Sequence, residues 1–144
     1  MRQFSITHLI LTIVSLFCVT SLCAQTTFSC TAPVLTTVDK MFEIEFTVST
    51  INTTPDDDSF KAPSFDGFQI IVGPVKLVGH SMKRVNGEQT ADHTFTYTYI
   101  LKATEYGIKT IGAATICVDG KPYRTKRTRM LILENIGRNN RKQQ

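Results

Sequence analysis

From Met41 onward the chain alternates apolar and polar residues with a period of two, which restricts it to strands that bury one face. In one such segment Phe42, Ile44, Phe46 and Val48 fall on one side and Glu43, Glu45, Thr47 and Ser49 on the other. Phe95, Tyr97, Tyr99 and Leu101 repeat the pattern against Thr94, Thr96 and Thr98, with the β-branched and aromatic density that suits a pleated surface. Shorter strands are expected over 68–72, 75–82, 109–118 and 124–133. Asn86-Gly87 and Asp119-Gly120 tolerate the positive φ of type I′ turns, so each predicts a hairpin between antiparallel neighbours. Gly73-Pro74 is expected to separate two strands, and Tyr106-Gly107 to mark a corner. Beyond the N-terminal segment nothing has sustained helical spacing with capping signals. The expectation is an all-β, immunoglobulin-like antiparallel β-sandwich. The chain has no Trp, so it lacks the Cys-Trp-Cys pattern of antibody domains.

The first 24 residues read as an address. Arg2 supplies positive charge, Leu9 to Val19 form an apolar run, and Thr20 to Ala24 resemble a cleavage region. The run falls short of the about 20 apolar residues that span a bilayer, and no second run follows. A cleavable signal peptide over 1–24 is expected, then a single domain over 25–135 and a basic polar tail over 136–144. A lipid anchor on Cys18 or Cys23 is the competing reading, disfavoured by Phe17 and Leu22 where a small residue is wanted.

Charge is divided unevenly. Residues 25–120 hold 7 Lys and Arg against 11 Asp and Glu, whereas 121–144 hold 8 against 1. A basic end on an acidic body attracts anionic lipid, lipopolysaccharide, nucleic acid or an acidic protein face. Charges on a terminal strand also protect an open sheet edge, which accounts equally for Arg124, Lys126, Arg127 and Arg129.

Cys30 and Cys117 lie beyond the leader, and an oxidising compartment would permit a disulfide between them. Alternation opposes it: Ala114, Ile116 and Val118 claim the buried face and turn Cys117 outward, while Cys30 shares the core side with Phe28 and Ala32. His80 and His93 stand in no recognisable nucleophile context, and Gly-x-Ser-x-Gly, Cys-x-x-Cys, His-x-x-x-His and phosphate-cradling loops are missing. No catalytic residue, cofactor or resident metal is therefore expected. Asp56, Asp57, Asp58 and Asp66 could offer oxygens to Ca²⁺, but the alternating ligand positions of a calcium loop are lacking, which favours a polar loop. Phe65 and Phe68, flanking Asp66 near Pro63, either form an exposed recognition edge or pin their loop onto the core. Asn52-Thr53-Thr54 matches a glycosylation sequon, read as chance.

Several motifs fall in a definite order: FKAPSFDGFQIIVGP over 60–74, Tyr97-Thr98-Tyr99, Gly107-Ile108-Lys109-Thr110-Ile111-Gly112, and Val118-Asp119-Gly120-Lys121-Pro122-Tyr123. In this order they resemble the first domain of the BatD family, the oxygen-tolerance (aerotolerance) proteins of Bacteroidetes and related bacteria, across roughly 33–133. The resemblance implies a non-enzymatic, periplasm-facing protein of immunoglobulin-like domains. It also implies protein partners: membrane proteins with von Willebrand factor A domains, linked to a MoxR-type ATPase. Nucleic acid is not an expected partner. Family members usually carry further domains and a membrane helix, so a chain ending after one domain reads as a truncated relative or a stand-alone module. Partner-binding positions, read from the aromatic loop and the basic strand, are Phe65, Asp66, Phe68, Arg124, Lys126, Arg127 and Arg129. The alternative function is an envelope-surface binder that holds anionic lipid or lipopolysaccharide through the basic C-terminal strand and tail.

Overall fold

The structure, a computed structural model, describes residues 25–139. The expected signal peptide and residues 140–144 of the tail lie outside the described residues. The strands are β1 (Thr27–Thr31), β2 (Leu35–Thr37), β3 (Met41–Ile51), β4 (Phe68–Val85), β5 (Glu88–Ala103), β6 (Gly107–Ile111), β7 (Thr115–Val118), β8 (Lys121–Arg124) and β9 (Thr128–Leu133), followed by a short helix α1 (Ile136–Asn139). One sheet has the order β1-β3-β5-β4, a second β2-β9-β6, and β7-β8 form a two-stranded ribbon.

The period-two pattern sets the core. Ile44, Phe46 and Val48 of β3, with Phe95, Tyr97, Tyr99 and Leu101 of β5, line the inner face of the first sheet. Against them lie Ile111, Ala114, Ile116, Val118, Met130 and Ile132. The architecture is all-β and sandwich-like, and its core is apolar side chains from facing layers. The middle of the outer face of β3 and β5 is polar, with Glu45 opposite Thr98, Thr47 opposite Thr96 and Ser49 opposite Thr94.

Both predicted hairpins form. Asn86 (φ 51°) and Gly87 (φ 82°) turn β4 into β5, and Asp119 (φ 51°) and Gly120 (φ 72°) turn β7 into β8. Four expectations need correction. The sheets are not all antiparallel, because β2 pairs parallel with β9 through Leu35, Thr36 and Thr37 opposite Leu131, Ile132 and Leu133. The chain leaves the first sheet after β1, passes Pro33, and joins the second. Next, Gly73-Pro74 does not separate two strands. It is a cis peptide inside the single strand β4, which absorbs it by register shifts between Ile70, Val72 and Val75. Gly73 has φ +129°, and a Cβ there would stand 2.8 Å from the Thr98 carbonyl oxygen, so the pairing with β5 requires glycine.

The expected strands over 109–118 and 124–133 each divide in two. The break is a crossing at which the Ala114 N–H donates to Thr125 Oγ1 (2.9 Å) and the Thr125 N–H to the Ala114 carbonyl (3.0 Å). Gly112 passes so close to Pro63 that a Cβ would meet its ring at 3.0 Å. Finally, β9, which carries Arg129, is the middle strand of its sheet and not an open edge. Edge protection therefore does not explain Arg129; it sits there because Met130 and Ile132 take the inner face and leave Arg129 outward.

Candidate interaction surface

Lone edge strands of sandwiches are normally short, charged or covered. The edge strand β4 runs over Phe68–Val85 and is exposed along nearly all of its length. Its register with β5 assigns the faces. Val72, Val75 and Leu77 stand opposite Ile100, Thr98 and Thr96 on the outer face, and Lys76, Val78 and His80 stand opposite Tyr97, Phe95 and His93 on the inner. Leu77 is 69% exposed and Met82 74%, with Val75 and Val85 also open. Past Ile51, where β3 ends opposite Asp92, the β4–β5 hairpin continues as a two-stranded arm to Val85 and Glu88.

Three basic residues, Lys76, Lys83 and Arg84, punctuate β4, and no acidic residue occurs in it. The strand is thus basic on an acidic body. Lys76 Nζ lies 5.5 Å from the centre of the Phe95 ring and 5.9 Å from that of Tyr97, where its stem and charge close the open side of the core. Lys83 pairs with Asp92 at 3.4 Å. Asn52 braces the base of the arm, its side-chain carbonyl accepting from the Ala91 N–H (2.8 Å) and its own N–H donating to the Ala91 carbonyl (2.8 Å).

Of the residues expected to bind a partner, Phe68 opens β4 and the others lie outside it. Phe65 is half-buried, its ring 5.1 Å from Tyr99 and 6.4 Å from Phe46, and Phe68 meets Phe42 edge-on at 5.6 Å. The Phe65 ring fastens the loop before β4 to the core, and the Phe68 ring does the same for the first residue of β4. Asp66 is exposed and accepts from the Ser64 hydroxyl at 3.1 Å. Arg124 ends β8, Lys126 and Arg127 occupy the β8–β9 connection, and Arg129 lies in β9; all four are exposed and none forms an ion pair among the described residues. No hydrogen bond, ion pair or ring contact joins these four to the Phe65 loop among the described residues. Phe60, which alternation did not single out, stacks flat on Tyr97 at 3.9 Å and 4°. The signal for it was its place at the head of an aromatic-rich loop.

Cys30 and Cys117 are free. Burial pushes the Cys30 thiol above its ordinary pKa, partly offset by a hydrogen bond with Thr128. Asp56 accepts the Gly120 N–H at 3.0 Å and so fastens the β7–β8 turn instead of presenting a ligand cluster. Among the described residues no group of three or more His, Cys, Asp or Glu is placed to hold a metal ion. Two shallow hollows, of about 240 and 160 Å³, fall below the roughly 300–1,000 Å³ of small-molecule sites. No helix among the described residues is long and apolar enough to cross a membrane.

No curated protein and no solved structure matches the chain. The family model for the BatD DUF11-like domain matches residues 32–132. That match begins in the β1–β2 connection and ends within β9, taking in every strand from β2 to β8, with the whole exposed edge, but not β1. With most of its 144 residues under that model, the chain belongs to the BatD DUF11-like domain family.

Proposed function

We propose that this chain is a non-enzymatic, exported interaction module that binds a protein partner by adding the partner's strand to the free edge of β4. The observation that carries the reading is an edge strand of Phe68–Val85 that is apolar, exposed and without acidic residues. An incoming strand gains main-chain hydrogen bonds along the edge, and alternate side chains give specificity. From Val75 to Val85 the register is regular, offering about 35 Å of edge. Charge complementarity selects an extended segment that mixes apolar and acidic residues, able to meet Lys76, Lys83 and Arg84.

Family membership supports placing the module in the periplasm, in a BatD-like envelope system linked to oxygen or stress tolerance, with von Willebrand factor A-domain membrane proteins and a MoxR-type ATPase. The sheet order supports an immunoglobulin-like sandwich: β1-β3-β5-β4 follows the A-B-E-D arrangement of that architecture. On this reading 1–24 is a cleaved leader, 25–135 the domain and 136–144 a basic tail. Co-purification of the full chain with the von Willebrand factor A-domain proteins of its host tests the proposal. Leu77→Glu should abolish recovery and Arg127→Glu should leave it intact; equal recovery with both would refute docking on β4.

A second reading rests on Arg124, Lys126, Arg127 and Arg129, all exposed and outside any ion pair among the described residues. It makes the protein a binder of anionic lipid or lipopolysaccharide, with affinity that falls steeply as salt screens the charges. Vesicle co-sedimentation that is insensitive to salt, or absent, would exclude it.

A further inference from the structure

The inner face of the β4–β5 hairpin, where the two-stranded arm begins, carries groups that docking on the edge does not use. His80 and His93 are opposite one another in the ladder, and their rings meet at 87° with Nδ1 atoms 2.7 Å apart. At that distance one Nδ1–H donates to the other Nδ1, so two imidazole nitrogens converge on one point at the surface. Met82, two residues beyond His80, is the next side chain of β4 on the same face, about 7 Å along the strand. Met82 as a whole is 74% exposed, and its thioether accepts from the Gln89 amide at 3.2 Å. Methionine's three rotatable bonds let that sulfur swing toward the imidazoles at little cost.

We propose that His80, His93 and Met82 form a copper-binding site. Two nitrogens held about 2.0–2.1 Å from an ion stand about 3.3 Å apart at a tetrahedral angle, so the rings need to part by only about 0.6 Å. The ligand set chooses the metal. Imidazole binds the cupric ion more tightly than the other divalent ions of its row, and a thioether is a soft donor that favours the cuprous state. Among the described residues no third His, Cys, Asp or Glu completes a zinc-like set here. Charged neighbours leave the point open: Lys76 reaches back over Phe95 and Tyr97, Lys83 and Asp92 pair on the opposite face, and Arg84 lies one position beyond Met82 on the ligand face. Binding takes both rings in the Nε2–H tautomer, the Nδ1 proton of the donor ring passing through solvent to its own Nε2, and the ion then ties β4 to β5.

The test is an anaerobic titration of the full chain with cuprous ion, against bicinchoninate as competitor, followed by NMR of the imidazole rings and methionine methyl groups. The ring signals of His80 and His93 and the methyl signal of Met82 should shift together and saturate at one ion. Met82→Leu should weaken cuprous binding about tenfold, and His80→Asn or His93→Gln should remove the shared shift. Both histidines lie outside the core, so the second variant guards against failure of the first to fold. Unchanged ring signals, with copper held by the Cys30 and Cys117 thiols, would overturn the proposal, as would His80→Asn retaining the affinity of the parent.

Discussion

Phe46 and Leu77 are large apolar residues of the same sheet, yet the structure assigns them opposite roles. Phe46 is fully buried and packs against Phe60, Tyr99 and Phe65 at 5.9, 6.1 and 6.4 Å. Phe46→Ala removes the transfer energy of a buried ring, leaves a cavity and breaks these aromatic contacts. Phe→Ala changes in cores cost about 3–5 kcal/mol, and loss of the ring pairs sets this one near the upper end. Against a total of about 5–15 kcal/mol for a domain, that is a third or more of the stability. Leu77 is 69% exposed, so at most about a third of the roughly 1.5–3 kcal/mol of a fully buried Leu is at stake in Leu77→Ala. Urea unfolding followed by circular dichroism separates the two. With a slope of about 1–2 kcal/mol/M, the midpoint should fall by about 2–4 M for Phe46→Ala and by less than about 1 M for Leu77→Ala. Equal shifts, or a larger one for Leu77, would mean that β4 is part of the core, and the docking surface would vanish with it.

Other expectations follow from local geometry. Gly73→Ala places a Cβ 2.8 Å from both the Thr98 carbonyl oxygen and the Tyr99 ring, whereas at Gly87 nothing stands within 4 Å. Thermal melts should therefore show Gly73→Ala far more damaging than Gly87→Ala, which meets only the cost of a left-handed backbone, about 1–2 kcal/mol. Cys30 should resist alkylation in the folded protein and react rapidly once urea unfolds it, because burial raises its pKa and withholds the thiolate. Burial also raises Tyr97, helped by Asp57 and Asp58, and burial raises Tyr99. A raised acid stays protonated in the fold while the unfolded chain releases its proton. The stabilising contribution is complete below about pH 8.5 and falls as pH climbs through the ordinary cysteine and tyrosine values and above them. Equilibrium unfolding between pH 7 and 11 should show that decline, and a flat profile would contradict it.

Alternation made the core of β3 and β5 readable residue by residue, because one buried face imposes a strict period of two. The Asn86-Gly87 and Asp119-Gly120 hairpins were equally legible, since few dipeptides accept consecutive positive φ. Partner choice was not. Nothing local to Leu35-Thr36-Thr37 reveals that it runs parallel to β9, and nothing local to Ala114 and Thr125 reveals that they bond to each other. Gly73-Pro74 looked like a terminator because proline donates no hydrogen bond, but the unpaired edge of β4 has no need of that donor. The candidate surface was hidden for the same reason. Apolarity places Val72, Val75 and Leu77 in strands without saying which way they face, and the strand order turns them outward. The rings of Phe65 and Phe68 pack against Tyr99 and Phe42.

Docking on β4 is tested most directly by site-specific photo-crosslinking in the native envelope, with a photoreactive amino acid in place of Leu77, Thr47 or Arg127 and the attached peptides mapped by mass spectrometry. Position 77 should capture an extended segment with apolar and acidic residues from a von Willebrand factor A-domain membrane protein, while Thr47, on the polar outer face of β3, captures none. Capture of that partner at Arg127 with none at position 77 would contradict strand addition at β4 and move the interface to the basic end of the chain.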